Sequence, residues 1–217
     1  MVFELGQNPW ILISLTFLEI LFIIIPAFIA SKVEKKTFRI EIIEMGFHKI
    51  KTPLRPLLIK SLAGLVLGFL FFMIGGYIII FFKDIVVNFV FGAPFVQAGE
   101  EGAISTSPVN ADPLQLLIIL ILQLLIVAPC EEGFFRGFIV RKSEHKLKTS
   151  WAIVLASTCF AFYHIPPFLV SIATIISYFG YYFTFGILLA LVFKYFDDSL
   201  IPGCFAHALF NILIILL

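Results

Sequence analysis

The chain has 217 residues, of which 61% are hydrophobic and 13% charged, with a formal net charge of +1. A soluble domain carries about 25% charged and 45–50% apolar residues, so this composition, with a mean hydropathy of +1.08, excludes an ordinary cytosolic domain, a disordered chain and a collagen-like fibre. The small net charge offers no basic face for nucleic acid, and the 3 cysteines, each in an apolar stretch, argue for no disulfide framework. What remains is an integral membrane protein, long enough for about six spanning helices of roughly 20 apolar residues each.

The first apolar run, Trp10 to Ala30, ends at the basic cluster Lys32, Lys35, Lys36 and Arg39. No Lys or Arg precedes it and it is longer than the apolar core of a secretory signal, so it reads as a retained span. The second run is Leu57 to Phe82. Lys60 lies near enough to its end to snorkel, and Gly64, Gly68, Gly75 and Gly76 are expected to let helices pack closely. From Lys83 to Asp112 the Gly, Pro and Ser clusters signal a long connection, including Ser105-Thr106-Ser107-Pro108. Within it Ile85 to Phe91 is apolar but too short to span, so it reads as interfacial or re-entrant. The third run opens at Pro113, a favoured first-turn residue, and continues through Glu131 and Glu132 towards Val140. The fourth is Trp151 to His164, closed by Pro166-Pro167. The fifth runs from about Phe168 to Phe196, long enough to be tilted or broken near Gly180. The sixth is Leu200 to Leu217. No internal repeat is visible. The fold class is therefore all-α, a polytopic membrane helix bundle of about six transmembrane helices. Only helices and closed barrels satisfy the backbone in lipid, and these continuous runs lack the alternation of a barrel. Residues 1–112 form the N-terminal helices and loops, and residues 113–217 a second, polar-cored half.

Basic residues follow the same parity. Lys32, Lys35, Lys36, Arg39, Lys49, Lys51, Arg55 and Lys60 lie between the first two spans, Arg141, Lys142, Lys146 and Lys148 between the third and fourth, and Lys194 before the sixth. The alternate connections hold only Lys83. The positive-inside rule then puts those basic connections, with His48 and His145 solvated among them, in the cytoplasm and both termini outside, as expected of a cell-membrane protein.

Ionisable groups inside spans are costly and mark function. Glu132 and Arg136 are four apart and share a helix face, so they can pair. Glu131 is turned about 100° away and has no such partner. His207 and Asn211 share a face of the sixth span, and Phe160 and His164 a face of the fourth. Counted from the basic end, Glu131, His164, His207 and Asn211 lie roughly 14–21 Å deep, near the middle of the membrane. Glu19, the other carboxylate within a run, stands alone. A carboxylate with an imidazole can hold and deprotonate a water, and an imidazole with an amide can donate to an oxyanion. This is equipment for hydrolysing an amide by direct attack of water.

In chain order these residues form E-E-x-x-x-R (Glu131 to Arg136), F-x-x-x-H (Phe160 to His164) and H-x-x-x-N (His207 to Asn211). Each motif alone is weak, but the three in order on separate apolar spans are specific. The second half of the chain, from Pro113 on, resembles the CAAX-protease and bacteriocin-processing family, the type II CAAX prenyl endopeptidases and their prokaryotic relatives. Relatives often have more helices, so the chain looks like a short member. The resemblance implies an intramembrane endopeptidase in which Glu131 and His164 activate water and His207 and Asn211 bind the oxyanion. Glu132, Arg136 and Phe160 would support them. It further implies, as partners beside membrane lipids, the C-terminal peptide of a prenylated or other membrane protein; the oligomeric state stays open.

Other readings fit some of the same groups. Glu131, His164 and His207 would make a His₂Glu zinc set, but no H-E-x-x-H is present and a site without metal or other cofactor is the favoured one. Cys130, Cys159 and Cys204 lie near the motifs and read as small buried hydrophobes rather than nucleophiles. A small proton-coupled transporter or a catalytically silent scaffold or bacteriocin immunity factor could also use buried ionisable groups. The lack of a repeat weighs against the transporter.

Overall fold

The computed structural model describes residues 3–4, 8–47, 53–105 and 111–217. His48, Lys49 and Lys51, and Thr106, Ser107 and Pro108 of the expected connection, lie outside the described residues. Among the described residues the helices are α1 (Pro9–Val33), α2 (Phe38–Glu44), α3 (Leu54–Phe91), α4 (Ala93–Glu101), α5 (Pro113–Glu144), α6 (Thr149–His164), α7 (Ile172–Tyr195) and α8 (Leu200–Leu216). A two-residue parallel pairing joins Phe3–Glu4 to Ile104–Ser105. The protein is a helical-bundle integral membrane protein. Helices α1, α3, α5 and α7, with 25, 38, 32 and 24 residues, are each long and apolar enough to cross a membrane. Helices α6 and α8 have 16 and 17 residues. At 1.5 Å per residue they reach roughly 24–26 Å, a little short of a hydrocarbon core of about 30 Å.

The sequence and the structure part company in two places. The connection expected from Lys83 onward is helical for most of its length: α3 continues through a π-helical stretch, Ile80–Val87, to Phe91. Nothing between Phe82 and Phe91 breaks a helix, and Ile85–Phe91 is simply its apolar end. The break comes at Gly92, whose φ of +83° suits a residue without Cβ. Pro94 then starts α4, which returns onto α7, where the Thr174 hydroxyl donates to the Gly99 carbonyl at 2.9 Å. Helix α7 likewise begins only at Ile172, capped by Ser171, and runs unbroken through Gly180. Gly180 lies under the Phe82 ring, where an added Cβ would overlap it, so this glycine serves helix packing and not a break.

Close packing also joins the two halves. An added Cβ at Gly64 or Gly68 of α3 would lie 2.5 Å from the Pro202 or Ala206 carbonyl oxygen of α8. Gly76, by contrast, has nothing near it. Helix α5 starts with the capping box expected of Asp112, whose side chain accepts from the Gln115 amide at 2.9 Å while Gln115 accepts in return at 3.0 Å. Large apolar side chains such as Leu18, Phe28, Leu62 and Met73 are exposed on the outside, whereas Glu131, Glu132, Arg136, Ser177 and His207 are buried. This inversion of a soluble protein is what lipid as solvent requires.

The basic connections meet at one end of the bundle. Lys142 Nζ lies 2.7 Å from Glu34 and 2.8 Å from Glu41, and Lys36 lies 2.8 Å from Glu44. Arg141 donates to the carbonyls of Glu44 and Asp198, Lys194 pairs with Glu144 and Asp198, and Lys60 donates to the Phe196 carbonyl. Lys83, paired with Glu100, is 23 residues further along α3 than Lys60, roughly 35 Å away.

Candidate active site

Three elements bring the polar residues together. Within α5 the turn Ala128–Glu132 carries the two glutamates, flanked by π-helical stretches at Gln123–Val127 and Gly133–Val140. Pro129 lacks an N–H and its ring crowds the preceding turn, so a wider turn there is the expected accommodation. Helix α6 ends at His164, and α8 carries His207 and Asn211.

Glu132 and Arg136 pair as their spacing predicted. Arg136 Nη1 donates to Glu132 Oε1 at 2.9 Å with both side chains 1% exposed, and Nη2 donates to the Gly186 carbonyl at 3.0 Å. The guanidinium lies 4.7 Å from the Phe160 ring centre, which gives Phe160 its supporting role in the packing. Glu132 Oε1 also meets His207 Nδ1 at 2.9 Å. One carboxylate thus ties α5 to α8, while its arginine ties α5 to α7.

Glu131 has no such arrangement. It is buried, and its Oε2 has no hydrogen-bond partner. That oxygen lies 3.9 Å from His164 Nε2 and 3.8 Å from His207 Nε2. His164 Nδ1 is 3.0 Å from the Phe160 carbonyl. A carbonyl only accepts, so Nδ1 carries the proton and a neutral His164 presents a lone pair at Nε2. By the same reasoning the contact with the Glu132 carboxylate puts the His207 proton on Nδ1. His164 is stacked on Tyr182, with ring centres 4.7 Å apart, and is partly accessible.

Asn211 lies one turn beyond His207. Its amide donates to Gln123 Oε1 at 2.9 Å, which leaves its second N–H uncommitted. Gln123 is a partner of Asn211 that sequence reasoning missed, although an amide in the middle of an apolar run was a signal. Glu19, expected to stand alone, does not: it accepts a hydrogen bond from the Tyr163 hydroxyl. The cysteines are free, and neither imidazole takes one as a hydrogen-bond partner among the described residues.

A zinc ion with ligands at about 2.1 Å holds them no more than about 4.2 Å apart. Among the described residues, the carboxylate or imidazole trio whose ligand atoms all lie within 4.8 Å of one another is Glu34, Glu41 and Glu44. Glu131, His164 and His207 do not form such a group, although Glu131 Oε2 lies 3.9 and 3.8 Å from the two imidazole Nε2 atoms. The outer trio is already paired with Lys36 and Lys142. Lying outside the spans, Glu34 is pushed down to about 2 by its hydrogen bonds to Lys142 and then Lys36. Glu44 is lowered, chiefly by Lys36, and Lys36 is raised in return, chiefly by Glu44.

Fold and centre together define an integral membrane helix bundle in which a buried glutamate lies between a buried and a partly accessible histidine. Residues 113–213 match the family model described as type II CAAX prenyl endopeptidase Rce1-like, and this stretch is a domain of that protease family. The match spans α5, α6, α7 and most of α8, and leaves α1 to α4 outside it. No curated protein and no solved structure matches the chain.

Proposed function

We propose that the chain is an intramembrane endopeptidase that cleaves a peptide bond by direct attack of a water bound between Glu131 and His164. The supporting observation is the buried, unpartnered Glu131 oxygen with an imidazole nitrogen at 3.9 Å and another at 3.8 Å. Groups that far apart do not hydrogen-bond directly, but one water can bridge them at ordinary lengths of about 2.8 Å. A water donating to the Glu131 carboxylate and to His164 Nε2 keeps a lone pair for the carbonyl carbon. Its proton, once taken, returns to the leaving amine.

The oxyanion falls to His207 and to the second N–H of Asn211. With Nδ1–H held by Glu132, His207 donates at Nε2 only when doubly protonated, and the Glu132 carboxylate balances that charge. Arg136 and Phe160 hold Glu132 in place. The reaction as proposed uses no metal. The substrate is the C-terminal segment of a lipidated or other membrane protein. The basic end faces the cytoplasm of a cell-membrane protein, and the substrate enters from that side through lipid.

The test is cleavage by the purified chain of paired prenylated and unprenylated C-terminal peptides. Glu131→Ala and His164→Ala are expected to abolish cleavage with helicity unchanged, and exhaustive chelation is expected to leave the wild-type rate intact. Wild-type rates in both variants refute the assignment, and loss of activity on chelation, restored by zinc, refutes the metal-free reaction.

A further inference from the structure

Helix α1 lies outside the matched stretch, yet it brings a carboxyl to the edge of the site. Glu19 sits on the 3-10 turn Phe17–Ile20 of α1, which packs on the Ala128–Glu132 turn bearing Glu131. Glu19 Oε1 accepts from the Tyr163 hydroxyl, and its Oε2 is buried without a partner. Tyr163 immediately precedes His164, the last residue of α6. The Tyr163 ring meets the His164 ring edge-on at 5.0 Å and Phe22 of α1 edge-on at 4.9 Å.

A terminal turn is the least constrained part of a helix, because its last carbonyls have no intrahelical N–H to accept from. His164 is followed by Ile165 in a non-helical conformation and the Pro166-Pro167 turn. Its Nδ1 is held within the helix by the Phe160 carbonyl at 3.0 Å, so what tertiary contacts must set is the placement of the turn itself: Tyr182 packs on one face of the ring, and Tyr163 sets the helix rotation on the other side. We propose that Glu19 is a positioning residue. Acting through Tyr163, it anchors the last turn of α6 to α1 and keeps His164 Nε2 directed at Glu131. The first span thus completes a site whose motif residues all lie in the second half of the chain. A carboxyl within a span is costly even when half-buried, and this anchor gives it a use that an apolar residue cannot supply.

The inference rests on the reading in which Glu131 and His164 activate water, so Glu131→Ala is measured beside the new variants in the full chain. Tyr163→Phe, which removes only a hydroxyl, and Glu19→Leu are expected to lower kcat by roughly 10–100-fold, the scale of a small misplacement of a reacting group. KM is expected to hold, because bound substrate does not depend on the anchor. The double variant is expected to be no worse than either single one. Glu19→Gln, whose amide oxygen still accepts from Tyr163, is expected to bring kcat back near wild type. The His164 imidazole NMR signal is expected to split or shift in Glu19→Leu and stay put in Glu19→Gln. Unchanged kcat in Glu19→Leu, additive losses in the double variant, or equal damage by Gln and Leu overturns the anchor while Glu131→Ala remains inactive. If Glu131→Ala is active, the hydrolytic reading fails instead. The His164 signal then decides the anchor alone: a shift in Glu19→Leu upholds it, and an unmoved signal overturns it.

Discussion

Two carboxylate clusters in this bundle are built from nearly the same residue types and differ in what surrounds them. At the basic end Glu34, Glu41 and Glu44 face Lys36 and Lys142, and each carboxylate has a lysine within 3.0 Å, even Glu41, which is fully buried. In the interior Glu131 and Glu132 share Arg136 and two imidazoles, but Glu132 takes both close partners and the nearest nitrogens to Glu131 are 3.8 and 3.9 Å away. Two lysines on long flexible stems adapt until each of the three carboxylates has an ammonium beside it. A guanidinium fixed by the Gly186 carbonyl and the Phe160 face cannot. The outer cluster is therefore accounted for by holding α2 to α5. The inner one leaves a carboxyl whose burial costs stability and whose neighbours are proton carriers, which is the profile of a reactive group.

Single substitutions sharpen the contrast. The largest expected loss of stability is at Arg136: Arg136→Met leaves Glu132 buried against His207 alone, and removing one partner of a buried pair costs about 3–5 kcal/mol. Thermal unfolding in detergent measures it, and Glu132→Leu together with Arg136→Met should recover part of the loss. Next comes His207→Ala, expected to lower kcat by about 10²–10³, the usual effect of removing an oxyanion donor. Gln123→Leu should act more mildly, lowering kcat by roughly fivefold, because Asn211 loses one hydrogen bond worth about 1 kcal/mol. A wild-type rate for that variant would detach Asn211 from the site. The smallest effect belongs to the outer cluster, where Glu34→Gln should cost less than about 1 kcal/mol and leave cleavage unchanged. Because Glu34 is held at about 2 against an ordinary 4.5, its contribution is present above pH 4.5 and fades as pH falls towards 2. The difference in Tm between Glu34→Gln and wild type should close over that interval.

Most of the inner cluster was legible in the sequence. Spacings of four residues put Glu132 with Arg136 and His207 with Asn211, and depth counted from the basic connections brought three helices to one level. Pairing between helices was not legible. Helical periodicity says which residues share a face but not which faces meet, so the contacts of Glu132 with His207, Asn211 with Gln123 and Glu19 with Tyr163 appear only in the fold. Glycine misled where its packing role resembled a breaking role: Gly180 reads as an interruption and is a contact point for Phe82. Gly92, where the backbone does turn, lay inside a stretch that reads as loop throughout. The π-helical turns around Pro129 set where the glutamates point, and the sequence offered only the proline as a sign of them.

The decisive measurement sets the two clusters side by side in one assay. Purified Glu131→Gln and Glu44→Gln, matched for fold by circular dichroism, are given the same membrane-embedded C-terminal peptide, and the product is quantified by mass spectrometry. The expected result is no product from Glu131→Gln and a wild-type yield from Glu44→Gln. A wild-type yield from Glu131→Gln would contradict the central claim that this buried carboxyl activates the attacking water.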